Sequence, residues 1–190
     1  MKYKVISFYT EFDPNSKYYT HHAKRLIGEC KNFNIDHHIV EVPSMGNYYA
    51  NTRMKPQFVL DAMNEFKTPL IWLDVDSYIT RPIDVKSYYA HDFAGVKRNL
   101  KDSIDYPIFA HCLYFNNTSS SIKLLNEWVR LCSEMHGRVG DHSQLVNAMR
   151  NTNIEYAFIH PNFTQYKINS SKENHTIGGT HGHSNYQSRH

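Results

Sequence analysis

The chain lacks a dense lysine–arginine block, a Cys-x-x-Cys pair, a glycine-rich phosphate loop near its first apolar run, and any long hydrophobic stretch. Each absence removes a class of function. A formal net charge of +3 with no basic stripe gives no reason to expect a nucleic-acid partner. No apolar run approaches the roughly 18–20 residues that a membrane span needs. The opening Met-Lys-Tyr-Lys-Val-Ile-Ser enters a strand-like run without the apolar core of a secretory signal, so the expected home is cytoplasm, the host's for a viral protein. Cys30, Cys112 and Cys132 have no metal-site spacing, which predicts buried free thiols in a reducing compartment. The adjacent pairs His21-His22 and His37-His38 lack zinc spacing too. There is no internal repeat and no low-complexity linker, and 190 residues fit one domain.

What the chain does have is aromatic side chains, fourteen Tyr and ten Phe, and a regular alternation of strand-like and helix-like segments. Residues 2–10 read as a buried strand, and Asp13-Pro14-Asn15-Ser16 as a turn supplying helix caps. From Tyr19 a helical stripe runs through Ala23, Leu26, Ile27 and Cys30, and a second strand follows over 38–42. This is a βαβ unit, which predicts a parallel pair. Residues 43–53 read as a loop. A helix then carries Phe58, Ala62 and Phe66 on one face, with Pro56 in its first turn. Further strands are predicted over 92–96, 108–115 and 155–159, and helices over 120–135 and 142–149. The expected class is α/β, with an open, mostly parallel sheet flanked by helices. The polar tail, 169–190, reads as loop or disorder by composition.

The chemistry concentrates in Pro69-Leu70-Ile71-Trp72-Leu73-Asp74-Val75-Asp76. An apolar run of this length suits a strand buried on both faces, and ligands collect beyond the carboxyl ends of such strands. If the strand continued through both aspartates, Asp74 and Asp76 would face the same way. Two carboxylates that close repel each other unless a cation sits between them. A hard divalent ion, Mn²⁺ or Mg²⁺, with diphosphate oxygens completing its shell, answers that need.

Leu-Asp-x-Asp followed by Ile79-Thr80-Arg81-Pro82-Ile83-Asp84 resembles the metal-binding motif of glycosyltransferases with the nucleotide-diphospho-sugar (GT-A) fold, in particular their small bacterial and viral members, those of chlorella viruses among them. The resemblance covers most of the chain. It implies a single GT-A domain over 1–168, with 169–190 a tail that folds back on the metal site. It matches Tyr9 and Thr10 to a nucleoside-contacting strand end, and Arg53 and Lys55 to a basic segment clamping the diphosphate. Leu113-Tyr114-Phe115-Asn116 matches a strand before the sugar site, and Asp141 and Gln144 a helix start facing the donor. It also implies a tail histidine in the metal shell, for which His181 and His183 are rivals. The family's Asp and Gln are commonly adjacent, whereas here His142 and Ser143 intervene.

Two expectations for Asp141 stand side by side. Asp-x-x-Gln at a helix start is a capping box, with Asp141 as N-cap. Alternatively Asp141 faces donor or acceptor as a base or an orienting carboxylate. Arg53 and Lys55 would sit at a helix start, where the helix dipole disfavours cations. The activity the resemblance implies is metal-dependent transfer of a sugar from a nucleoside-diphosphate donor, with UDP the expected nucleotide, to a hydroxyl acceptor on a glycan. A non-catalytic carbohydrate or sugar-nucleotide module, or a sugar nucleotidyltransferase, are the competing expectations.

Overall fold

The computed structural model describes residues 2–11, 15–97 and 107–159, together with the backbone of 164–165 and 177–178. In it the βαβ opening forms as predicted: β1 (Lys4–Tyr9), α1 (Tyr18–Asn32) and β2 (His37–Glu41), with β1 and β2 parallel. A short helix α2 (Tyr48–Thr52) and a longer α3 (Lys55–Phe66) lead to β3 (Leu70–Leu73), the apolar run before the aspartates. The chain continues through β4 (Tyr78–Ile79), β5 (Phe93–Lys97) and β6 (Ile108–Phe115). Then come α4 (Ser119–Ser133), α5 (Asp141–Thr152), β7 (Tyr156–Ile159), β8 (Thr164–Gln165) and β9 (Ile177–Gly178).

The main sheet has the order β2-β1-β3-β6-β5-β7. The pairs β1–β2, β1–β3 and β5–β7 are parallel, while β6 runs antiparallel to both β3 and β5. From β1 the chain goes to one side for β2 and then crosses to the other for β3. The strand order therefore reverses at β1, and the crevice at the carboxyl ends of β1 and β3 is where such sheets take ligands.

Alternation along β3 divides the core. Leu70 and Trp72 pack with Val59, Leu124, Trp128 and Leu145 of the α3–α4–α5 layer. Ile71 and Leu73 pack with Ala23, Leu26 and Cys30 of α1 and with Ile83 and Val85. All four are buried, as a strand covered on both faces requires. The three cysteines are free and buried, in α1, β6 and α4. Burial pushes the Cys112 thiol well up, which makes it an inert core side chain rather than a nucleophile.

At Gly95 the register of β5 on β6 shifts, and an added Cβ would lie 2.9 Å from Ile108 Cδ1 and 3.2 Å from its Cβ. The nearer atom is a side-chain tip, but the Cβ behind it cannot rotate away. Gly95→Ala is expected to cost about 1–3 kcal/mol, read as a lower denaturant midpoint with an unchanged slope.

Three expectations are corrected. The segment 43–53 is not all loop: Asn47 Oδ1 accepts from the Ala50 N–H and starts α2, a cap the sequence reading passed over. The N-cap of α1 is Lys17 without a side-chain cap, although Ser16 Oγ accepts from the Tyr18 N–H at 3.2 Å and Glu11 from Thr20 at 2.7 Å. Asp13 and Pro14 lie outside the described residues. Within the polar tail, β9 pairs antiparallel with β4, Tyr78 opposite Gly178.

Candidate active site

Val75 and Asp76 do not extend β3. The strand ends at Leu73, and the Ser77 N–H donates to the Asp74 carbonyl at 2.8 Å, closing a turn over 74–77. The expectation that strand alternation aligns the two carboxylates therefore fails. The turn brings both to the same place by another route, since Asp74 and Asp76 line one cavity at the carboxyl ends of β1 and β3. Tyr9 and Thr10 line it from β1, Tyr19 from α1, Tyr48 from α2, Phe109 and His111 from β6, and Asp141 and His142 from α5.

Lys55 is the centre of the arrangement. Although it opens α3, its side chain runs inward and is buried. Its Nζ lies 3.1 Å from Asp74 Oδ1 and 2.9 Å from Asp141 Oδ2, donates to the Ala110 carbonyl at 3.2 Å, and sits 5.1 Å from the centre of the Trp72 ring. An ammonium has three protons, and three oxygens surround this one. Lys55 therefore ties β6, the aspartate turn and α5 together. Burial alone would lower its pKa, but Asp141 and Asp74 outweigh that and hold it well above the usual lysine range.

Asp74 is fixed from two sides, by Lys55 and by Trp72 Nε1 at 2.9 Å from the same Oδ1. Burial would raise its pKa. The Lys55 charge, His111 and the two hydrogen bonds win, and the group is held below the ordinary 3.8. Burial pushes His111 down to about 4, so near neutral pH it is an uncharged imidazole beside Asp74. His142 Nε2 meets the Ile108 carbonyl at 2.5 Å, which anchors the start of α5 to β6.

Asp141 is not the N-cap of α5. Gly140 holds that position, without a side-chain cap, and Asp141 is the first helical residue. The capping-box reading is corrected. Its carboxylate turns to Lys55 and the cavity, and its carbonyl accepts from Trp128 Nε1 at 2.9 Å. Gln144 is buried one turn further on, within reach of Ser143 and Asn147, and does not line the cavity. Arg53 also lies outside it: Nη1 donates to the carbonyls of Gly137 at 3.1 Å and Val139 at 2.7 Å, bracing the loop before α5. His181 and His183 lie outside the described residues. Trp72, Tyr19 and His142 were missed in the sequence. Trp72 was counted only as core, and the signal that it also serves the site, its position two residues before Asp74, was in view.

Among the described residues, the charged side chains on the cavity wall are Asp74, Asp76, Asp141 and Lys55, three carboxylates against one ammonium. That is a formal surplus of two negative charges, with hard oxygen donors facing one space. Among the described residues no cluster of three or more His, Cys, Asp or Glu side chains is placed to hold a metal. Asp74 and Asp76 bring two carboxylates to the cavity, oxygen donors of the kind that hard divalent cations take.

No protein-family model and no curated protein matches the sequence. Among solved structures, the chain is similar to the crystal structure of a glycosyltransferase involved in the glycosylation of the major capsid of PBCV-1, with a TM-score of 0.72 and 15% identity over 98% of this chain and 96% of that one. What the two share is the fold, an α/β sheet flanked by helices.

Proposed function

We propose that the protein is a metal-dependent glycosyltransferase that moves a sugar from a nucleoside-diphosphate donor, UDP-linked, to a hydroxyl of a glycan or small acceptor. The observation that carries this is the charge of the cavity. It sits where α/β sheets bind nucleotides, between β1 and β3, yet its wall carries a formal surplus of two negative charges. A diphosphate would be repelled by that wall. A divalent cation held by Asp74 and Asp76 cancels that surplus and gives the diphosphate a positive centre to meet. The fold shared with a glycosyltransferase supports the same reading.

In this reading Asp76, buried and facing the cavity, and the open part of Asp74 hold Mn²⁺ or Mg²⁺, which supplies Lewis-acid stabilisation of the departing nucleoside diphosphate. A tail histidine, His181 or His183, completes the shell. Gly178 pairs with Tyr78, two residues past Asp76, and His181 follows Gly178 by three residues in the sequence. Tyr9, Thr10, Tyr19 and Tyr48 form an aromatic and hydroxyl wall suited to a nucleoside. Asp141 orients donor or acceptor hydroxyls, and Lys55 holds both carboxylates in place. The N-termini of α3 and α5 add partial positive charge at the same end of the sheet.

Incubation with UDP-sugars and Mn²⁺ tests it through the products. Release of UDP with free or transferred sugar, abolished by chelation, is the expected result. Formation of UTP and sugar 1-phosphate from the UDP-sugar once pyrophosphate is added would identify a nucleotidyltransferase, and binding without any turnover a carbohydrate module.

A further inference from the structure

A metal ligand in a turn is aimed by the backbone that carries it. The backbone around Asp76 is held by two side chains of α1. Arg25 Nη2 donates to the carbonyl oxygens of both Asp76, at 2.9 Å, and Ser77, at 2.6 Å. Glu29, one helical turn along, accepts from the Ile79 N–H through Oε2 at 2.7 Å, and its Oε1 lies 3.4 Å from Arg25 Nε. Three backbone groups within four residues are thereby fixed to one helix. Asp76 and Ser77 are buried, so water is poorly placed to replace a lost donor.

The other aspartate is held from the opposite side of the sheet. Asp74 is gripped through its side chain by Lys55 of α3 and by Trp72. Asp76 is held through its backbone, by Arg25 of α1 on its own carbonyl and on that of Ser77. A guanidinium whose single nitrogen bonds two successive carbonyls fixes the peptide between them.

We propose that Arg25, braced by Glu29, is the positioning residue for Asp76, setting the direction of its carboxylate so that a divalent cation can bridge it to a nucleoside diphosphate. The proposal rests on Asp76 being a metal ligand, as read above. It predicts a fault specific to the metal-assisted part of nucleotide binding, which a residue serving only the fold would not show.

The test is calorimetric titration of UDP into the wild type, Arg25→Ala, Arg25→Lys and Glu29→Ala, each with Mn²⁺ and without divalent metal. The quantity read is the metal enhancement, the ratio of the two Kd values. Arg25→Ala should reduce it about 10–100-fold, the usual effect of removing a residue that orients a metal ligand, while metal-free affinity stays unchanged. Arg25→Lys should restore most of it, because one ammonium nitrogen can donate to both carbonyls as Nη2 does. Glu29→Ala should give a smaller loss in the same direction, and it carries the test if Arg25→Ala does not fold. An enhancement that persists in both alanine variants, or affinity lost equally with and without metal, overturns the proposal. A wild type without any enhancement overturns the metal-site reading itself, an outcome distinct from either.

Discussion

Lys55→Met should be the most destabilising single change in the site. Methionine matches the length of the stem but leaves Asp74 and Asp141 without the ammonium that lies within 3.1 Å of both. Removing one partner of a buried ion pair typically costs about 3–5 kcal/mol, because the remaining charge is left uncompensated. For a chain of this size, each kcal/mol moves Tm by about 2–4 °C, so a fall of roughly 6–20 °C is expected by calorimetry. The pH dependence has a definite sign. Lys55 is raised above its ordinary 10.5, so its contribution is complete below 10.5 and fades as pH climbs through the folded value. Asp74 is lowered below 3.8, so its contribution is complete above 3.8 and fades as pH falls through the folded value. Wild-type stability from this cluster is therefore level between those limits. In Lys55→Met the two carboxylates lose their counter-charge and gain from protonation, so the gap to wild type should narrow as pH falls into the carboxylate range. A gap that stays constant with pH would mean that packing against Trp72, not charge, is what Lys55 contributes.

Asp76→Asn should have the opposite profile, little effect on the fold and a large one on activity. The substitution keeps the volume and removes one of the three carboxylates on the cavity wall. With no metal bound this relieves repulsion, so the unliganded Tm should stay level or rise slightly. Turnover of a UDP-sugar with Mn²⁺ should fall about 10²–10³-fold, the scale of losing one element of transition-state charge stabilisation. A fall in Tm with activity retained would assign Asp76 to the fold instead.

The strands of the main sheet and the long helices were legible for one reason: each buried element leaves a period in the sequence. The run 70–73 is buried on both faces, and its apolar continuity shows it. Direction leaves no such trace. The apolar residues of β6 are the same whether the strand runs parallel or antiparallel, so its reversal between β3 and β5 had to come from the structure. Side-chain commitments were legible only in part. Asp74 and Asp76 stand out by pattern, although what brings both to one cavity is a turn rather than a strand. Lys55 and Arg53, two residues apart, looked equivalent as surface cations. One is buried between two carboxylates and the other braces a loop, a difference set by tertiary contacts with β6, α5 and residues 137–139. Asp141 illustrates the same limit. Its spacing to Gln144 is that of a capping box, yet a buried ammonium one element away outcompetes the backbone N–H groups for its carboxylate.

The central claim is that a cavity with surplus negative charge becomes a strong nucleotide site only when a divalent cation enters it. Calorimetric titration of UDP into the wild-type protein, with and without Mn²⁺ and with GDP as control, tests it most directly. UDP binding that is strengthened many-fold by Mn²⁺ and falls back on chelation is the predicted result. Equal binding with and without metal, or none under either condition, would contradict it and leave the turn at Asp74 and Asp76 as a structural feature of a shared fold.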